Sequence, residues 1–125
     1  MAFLAINEGL NKLGEAGLPA TFTFDLSTKT TAEIGATATF AGGFGKATGT
    51  GYAAKTQARP APSSGVFTCT QMEWKTETAT DWPAAVKSVV LRNGETNLVC
   101  AWDLEASRAM NAKSTVLKFT PTITL

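Results

Sequence analysis

The amino-acid sequence predicts a mainly β protein: an antiparallel β-sandwich with a short N-terminal helix and a long Gly/Ala/Thr-rich loop or arm. Two stretches near the C-terminus carry most of this. Leu98, Cys100, Trp102 and Leu104 alternate with Val99, Ala101 and Asp103, while Leu117, Phe119, Pro121, Ile123 and Leu125 alternate with Val116, Lys118, Thr120, Thr122 and Thr124. That period of two belongs to strands with one buried face. The third observation is Asn93-Gly94, a pair that tolerates positive φ and so favours a tight hairpin between antiparallel neighbours. A chain of 125 residues and net charge +1 fits one domain, large enough to bury a core without staples.

Residues 1–17 carry Phe3, Ile6, Leu10 and Leu13 at helical spacing, with Asn7, Glu8, Asn11 and Lys12 between them and Gly14, Gly17 and Pro19 as stop signals. A short amphipathic helix is expected there, weakened by Gly9 and dependent on docking against the rest of the fold or a neighbour. Ala20 to Leu26 follows as a strand, Phe22, Phe24 and Leu26 on one face and Thr21, Thr23 and Asp25 on the other. Composition then shifts. From Ser27 to Gly65, nine Ala, seven Gly, eight Thr, three Ser and two Pro make up 29 of 39 residues, few large apolar groups to offset the entropy of ordering that much chain. An extended arm or long loops over the sandwich are expected, ordered partly by other chains, with Ala36 to Phe40 as a possible edge strand and Gly42 to Gly51 as a hairpin tip or loop.

The core strands are expected in 66–125. In Val66 to Lys75, strict alternation sets Phe67 and Cys69 against Met72 and Trp74; a bulge near Thr70–Gln71 would bring all four to one side. Val86 to Leu91 and Asn97 to Leu104 form the hairpin around Asn93-Gly94. Glu105 to Ser114 reads as a crossover loop, and Val116 to Leu125 as the closing strand, its apolar end tied into the core.

Chemistry is sparse. The chain has no histidine, the usual acid–base group at neutral pH, so hydrolysis would fall to shifted carboxylates or to a cysteine without its usual base. Glu73/Glu77 and Asp103/Glu105 are pairs that solvated strand faces produce routinely. Gly42-Gly43-Phe44-Gly45-Lys46-Ala47 lacks the glycine and the Ser/Thr of a phosphate loop. Cys69 and Cys100 have neither CxxC spacing nor histidine to complete a zinc shell; they read as small buried hydrophobes, with a cross-strand disulfide as the alternative. Neither an enzyme nor a cofactor is expected. Scattered Lys and Arg argue against nucleic acid, and without an apolar run of about 18 residues no spanning helix is expected. Trp82, ahead of a proline in a turn, is the expected interface aromatic, together with Phe40, Phe44 and Tyr52 of the Gly/Ala/Thr-rich region.

Asp81-Trp82-Pro83, Val86-Lys87-Ser88-Val89-Val90-Leu91, Asn93-Gly94-Glu95, the Ala-Trp-Asp-Leu within Leu98 to Leu104, and the terminal Leu117 to Leu125 together resemble small phage structural proteins over roughly Thr80 to Leu125. The N-terminal segment adds a weaker echo, and Lys113-Ser114-Thr115 stands where such proteins often carry Gly-Asp-Thr. The resemblance implies a non-enzymatic virion protein made in the host cytoplasm. Foremost it implies a decoration or cement protein on the outside of the capsid, partnered by the major capsid protein and by copies of itself, often as trimers, bridging adjacent subunits. A minor tail or head–tail protein is the alternative within that group. A carbohydrate-binding β-sandwich using exposed aromatics is the alternative outside it.

Overall fold

The computed structural model describes residues 3–9 and 18–124. Nine strands appear in chain order: β1 (Phe3–Ala5), β2 (Thr21–Ser27), β3 (Lys55–Ala58), β4 (Val66–Thr68), β5 (Met72–Lys75), β6 (Val86–Asn93), β7 (Asn97–Arg108), β8 (Val116–Phe119) and β9 (Thr122–Thr124). A one-turn helix, α1 (Thr31–Ile34), lies between β2 and β3. Five strands form one antiparallel sheet in the order β1-β7-β6-β2-β3, and the ladders β4-β9 and β5-β8 form a second layer. The fold is thus mainly β and antiparallel, as the alternation predicts.

Between the layers lies an aromatic core. Phe22, Phe24 and Leu26 of β2, Val89 and Leu91 of β6 and Trp102 of β7 meet Met72, Trp74, Leu117, Phe119 and Ile123 from the second layer. The Trp102 indole N–H donates to Thr122 O at 3.1 Å, joining the layers directly. Phe67, Cys69, Met72 and Trp74 all face this core. The device is a break rather than a bulge within one strand: β4 and β5 pair with different partners, β9 and β8, and Cys69 N–H donates to Pro121 O in the gap. Pro121 has no N–H to return, so the expected single C-terminal strand divides there. Its alternation survives, with Leu117, Phe119, Pro121 and Ile123 buried; Leu125 lies outside the described residues.

β7 departs from strict alternation. Leu91 pairs with Cys100 and Arg92 with Leu98, which leaves Val99 as an extra residue, a β-bulge. Val99, Cys100 and Trp102 therefore face the aromatic core, whereas Leu98 and Ala101 face the other side of the sheet, so Leu98 does not share the Trp102 face. Gly9 packs on this bulge, where an added Cβ would collide with the Val99 backbone. β7 also runs on to Arg108, which pairs with Val86, so the crossover loop starts later than expected.

The expected helix over 1–17 gives way at its start: Phe3–Ala5 is a strand paired with Cys100 to Trp102 of β7, and only residues 7–9 are helical, 10–17 lying outside the described residues. Burial of Leu4 and Ile6 on one side and of the Trp102 contact on the other overrides the helical spacing. Ala36–Phe40 forms turns, not an edge strand. At the hairpin, Asn93 pairs with Asn97 and only Gly94 takes positive φ (53°), so the turn spans three residues rather than two.

Residues 28–47 do not extend as an arm; they fold over the second face of the five-stranded sheet. Ile34, Ala38, Phe40 and Phe44 pack there on Leu4, Ile6, Val90, Leu98 and Ala101. The sheet's polar residues hold them down. Ser27 Oγ donates to Phe44 O (2.6 Å), Ser88 Oγ donates to Lys29 O (2.6 Å), and the Asp103 carboxylate accepts from Thr31 N–H (2.7 Å) and Thr31 Oγ1 (2.9 Å). These bonds satisfy groups that burial would otherwise penalise, and few large apolar side chains then suffice.

Candidate interaction surface

Of the four aromatics expected at an interface, Trp82 and Phe44 are buried and Phe40 and Tyr52 half-buried. Trp82 is 4% exposed, its indole N–H donates to Thr50 O (2.8 Å), and its ring meets Tyr52 edge-on at 5.2 Å. The Asp81 carboxylate beside it accepts from Thr50 N–H and Oγ1, which holds that carboxyl below its usual range. Trp82 is therefore not the exposed anchor that its position before Pro83 suggests; the turn folds inward because residue 50 supplies partners to both side chains. Phe44 is 2% exposed. Phe40 is half-buried, 6.1 Å from Phe44 and under the Arg92 guanidinium at 5.6 Å.

Tyr52 belongs to a buried polar cluster. Its hydroxyl donates to Asp25 Oδ1 (2.7 Å) and accepts from Leu26 N–H (2.9 Å). Arg92 Nε donates to Asp25 Oδ2 (2.5 Å), and Arg92 Nη1 donates to Gly94 O (2.6 Å). Burial first, and the Asp25 charge second, push the Tyr52 hydroxyl well above its usual range. Sequence alternation places Asp25 on a polar face; the structure covers that face and pairs the charge.

Cys69 and Cys100 are free and buried in the aromatic core. Burial pushes the Cys69 thiol up to about 11 and raises Cys100 further, helped by Cys69. Both are protonated at neutral pH, which removes the thiolate that nucleophilic or metal chemistry needs. Among the described residues, no group of three Cys, Asp or Glu could hold a metal ion, and no helix is long and apolar enough to cross a membrane.

The accessible feature is the side of the sandwich where β1 faces β9. A groove of about 400 Å³ opens there, lined by Phe3, Trp102, Phe119, Thr120, Thr122 and Thr124. The Phe3 and Trp102 rings lie 5.5 Å apart and Trp102 and Phe119 5.9 Å apart, a row of aromatics beside threonines. Phe3, at 44%, is the one large apolar side chain exposed among the described residues. A second groove, about 290 Å³, shares Phe119 and continues past Leu104 and Leu117 to Glu105, Arg108 and Lys118. The surface thus runs from an uncharged aromatic end to a charged end. The sequence hides this surface because Phe3 has helical spacing to Ile6 and Trp102 and Phe119 carry the alternation of core residues; the short run Phe3-Leu4-Ala5 is the available signal for an edge strand. Comparison with protein-family models, curated proteins and solved structures finds no match for this chain.

Proposed function

We propose that this protein is a non-enzymatic structural component of a virion, foremost a capsid decoration or cement protein that binds the outside of the head and bridges capsid subunits. The observation that carries this reading is the pairing of a β body whose loops are bonded to its own sheet with an aromatic groove bordered by a strand edge. Such a surface suits an extended or flat protein partner. Its two ends offer different terms: apolar contact at Phe3, Trp102 and Phe119, and charged contact at Glu105, Arg108 and Lys118. The resemblance of Thr80 to Leu125 to small phage structural proteins points the same way. A body whose loops are bonded to its own sheet can add stiffness to a shell it joins, because little chain must be ordered on docking.

Tail or head–tail attachment would use the same surfaces and differs in the particle bound. A sugar-binding role built on Trp82 loses its anchor, since that ring is buried. The test is to add purified protein to intact capsids lacking it and to tail assemblies, then measure co-sedimentation and the capsid rupture temperature. Binding to capsids with a raised rupture temperature supports the cement role. Binding only to tails supports the alternative, and unchanged capsid density and rupture temperature oppose cement.

A further inference from the structure

We propose that two copies of this chain pair edge to edge through β1, antiparallel about a two-fold axis, with Phe3 of each copy entering the aromatic groove of the other. The inference stands on the edge itself; it assigns the apolar end of the surface to a second copy and leaves the charged end, Glu105, Arg108 and Lys118, to any capsid partner.

The backbone comes first. Ile6 N–H donates to Val99 O at 3.2 Å, so along β1 the groups of Leu4 point to β7 and those of Phe3 and Ala5 point outward. Among the described residues, β1 is the end strand of its sheet. A second β1 with Leu4 on the two-fold axis places Phe3 opposite Ala5 twice, and each such pair exchanges both of its backbone hydrogen bonds. The axis stands normal to the sheet, so both Phe3 rings stay on the Trp102 side.

Side chains then select the partner. Each incoming Phe3 arrives one strand spacing, about 4.8 Å, beyond β1, beside the groove that the resident Phe3 lines together with Trp102, Phe119, Thr120, Thr122 and Thr124. The exposed ring and the cavity that accepts it lie on the same edge of the same chain, the self-complementarity that a two-fold interface requires. Charge agrees: β1 and this groove carry no ionisable side chain, so two copies meet without like-charge repulsion. The opposite end strand, β3, carries Lys55 and is followed by Arg59 and Pro60, devices that keep an edge from pairing. β1 has none of them.

The test is analytical ultracentrifugation of the full chain over a wide concentration range. The expected result is a concentration-dependent species of twice 13.1 kDa that reverts to monomer in Phe3→Lys, whose circular dichroism is unchanged. In a second arm, Leu4→Cys is oxidised with diamide and gives a reductant-sensitive covalent dimer, whereas Gln57→Cys on the guarded edge does not. A monomer at every concentration, a trimer, a dimer indifferent to Phe3→Lys, or cross-linking through Gln57→Cys but not Leu4→Cys would each overturn the proposal. A wild-type monomer that binds an added extended peptide at β1 would also overturn it, in favour of a different occupant.

Discussion

The two open sides of the sandwich are built in opposite ways. At the β3 side, Gln57 bridges to the second layer through both ends of its amide, Nε2 donating to Thr70 O and Oε1 accepting from Thr70 N–H. Arg59 Nη1 donates to Leu18 O at 2.6 Å. Beyond β3, the β2 edge is completed by Ala47 N–H on Leu26 O, Thr28 N–H on Gly45 O and Leu26 N–H on the Tyr52 hydroxyl oxygen. At the β1 side no charged residue guards the strand, the layers separate around aromatic rings, and a phenylalanine stands in solvent. A single chain that seals one edge with side-chain bonds and leaves the other apolar has divided its perimeter into a finished border and a contact border.

Trp102→Ala attacks the floor of the open side and should have the largest effect. It removes a nearly buried ring that touches Phe3, Phe24 and Phe119, at a cost of about 3–5 kcal/mol, a large share of a small domain's stability. Urea unfolding would show a strongly lowered midpoint. Arg92→Met follows closely on the finished side: Asp25, fully buried, would keep only Tyr52 as a side-chain partner, a loss of roughly 3–5 kcal/mol. Replacing Asp25 by Leu in the same chain should restore much of that loss, because the unpaired charge, not the missing bridge, carries the penalty.

Alkaline pH tests the buried groups of the interior by titration. Tyr52, Cys69 and Cys100 hold their protons in the fold more tightly than in the unfolded chain, whose ordinary values are 10.0 for tyrosine and 9.0 for cysteine. Groups with raised folded values stabilise fully below the unfolded values and lose that contribution as pH rises above them. The melting temperature should therefore fall from about pH 9 upward. A flat profile to pH 11 would contradict the buried placement of these groups. A smaller loss, about 1–2 kcal/mol, is expected for Gln57→Ala, which leaves the Thr70 backbone groups to water. Phe3→Lys should cost least, about 0.5 kcal/mol or less, because the ring is already half in solvent; its effect belongs to association.

Much of the sheet was legible because its physics is local. The alternation of Phe22, Phe24 and Leu26 and of Leu117, Phe119 and Ile123 is written residue by residue, and Asn93-Gly94 marks the hairpin whose Gly94 takes positive φ. What stayed hidden depends on distant partners. Val99 is an extra residue only when β7 is set against β6. Ser27, Ser88 and Asp103 gain their partners only when the chain at 28–47 is laid over them, and Asp25, which alternation sets on a polar face, is paired by Arg92 and Tyr52. Phe3 carries the same lesson: its spacing to Ile6 suits a helix, and only the vacant edge of β7 turns it into a strand. The candidate surface was the least legible part, since it consists of residues whose sequence signature is that of core.

Hydrogen–deuterium exchange of the full chain, measured at low and at high protein concentration, compares the two edges directly. Protection should increase with concentration at Phe3–Ala5 and along Thr122–Thr124, while Lys55–Ala58 exchanges equally at both concentrations. Protection gained at Lys55–Ala58, or at neither edge, would contradict the assignment of β1 as the contact border.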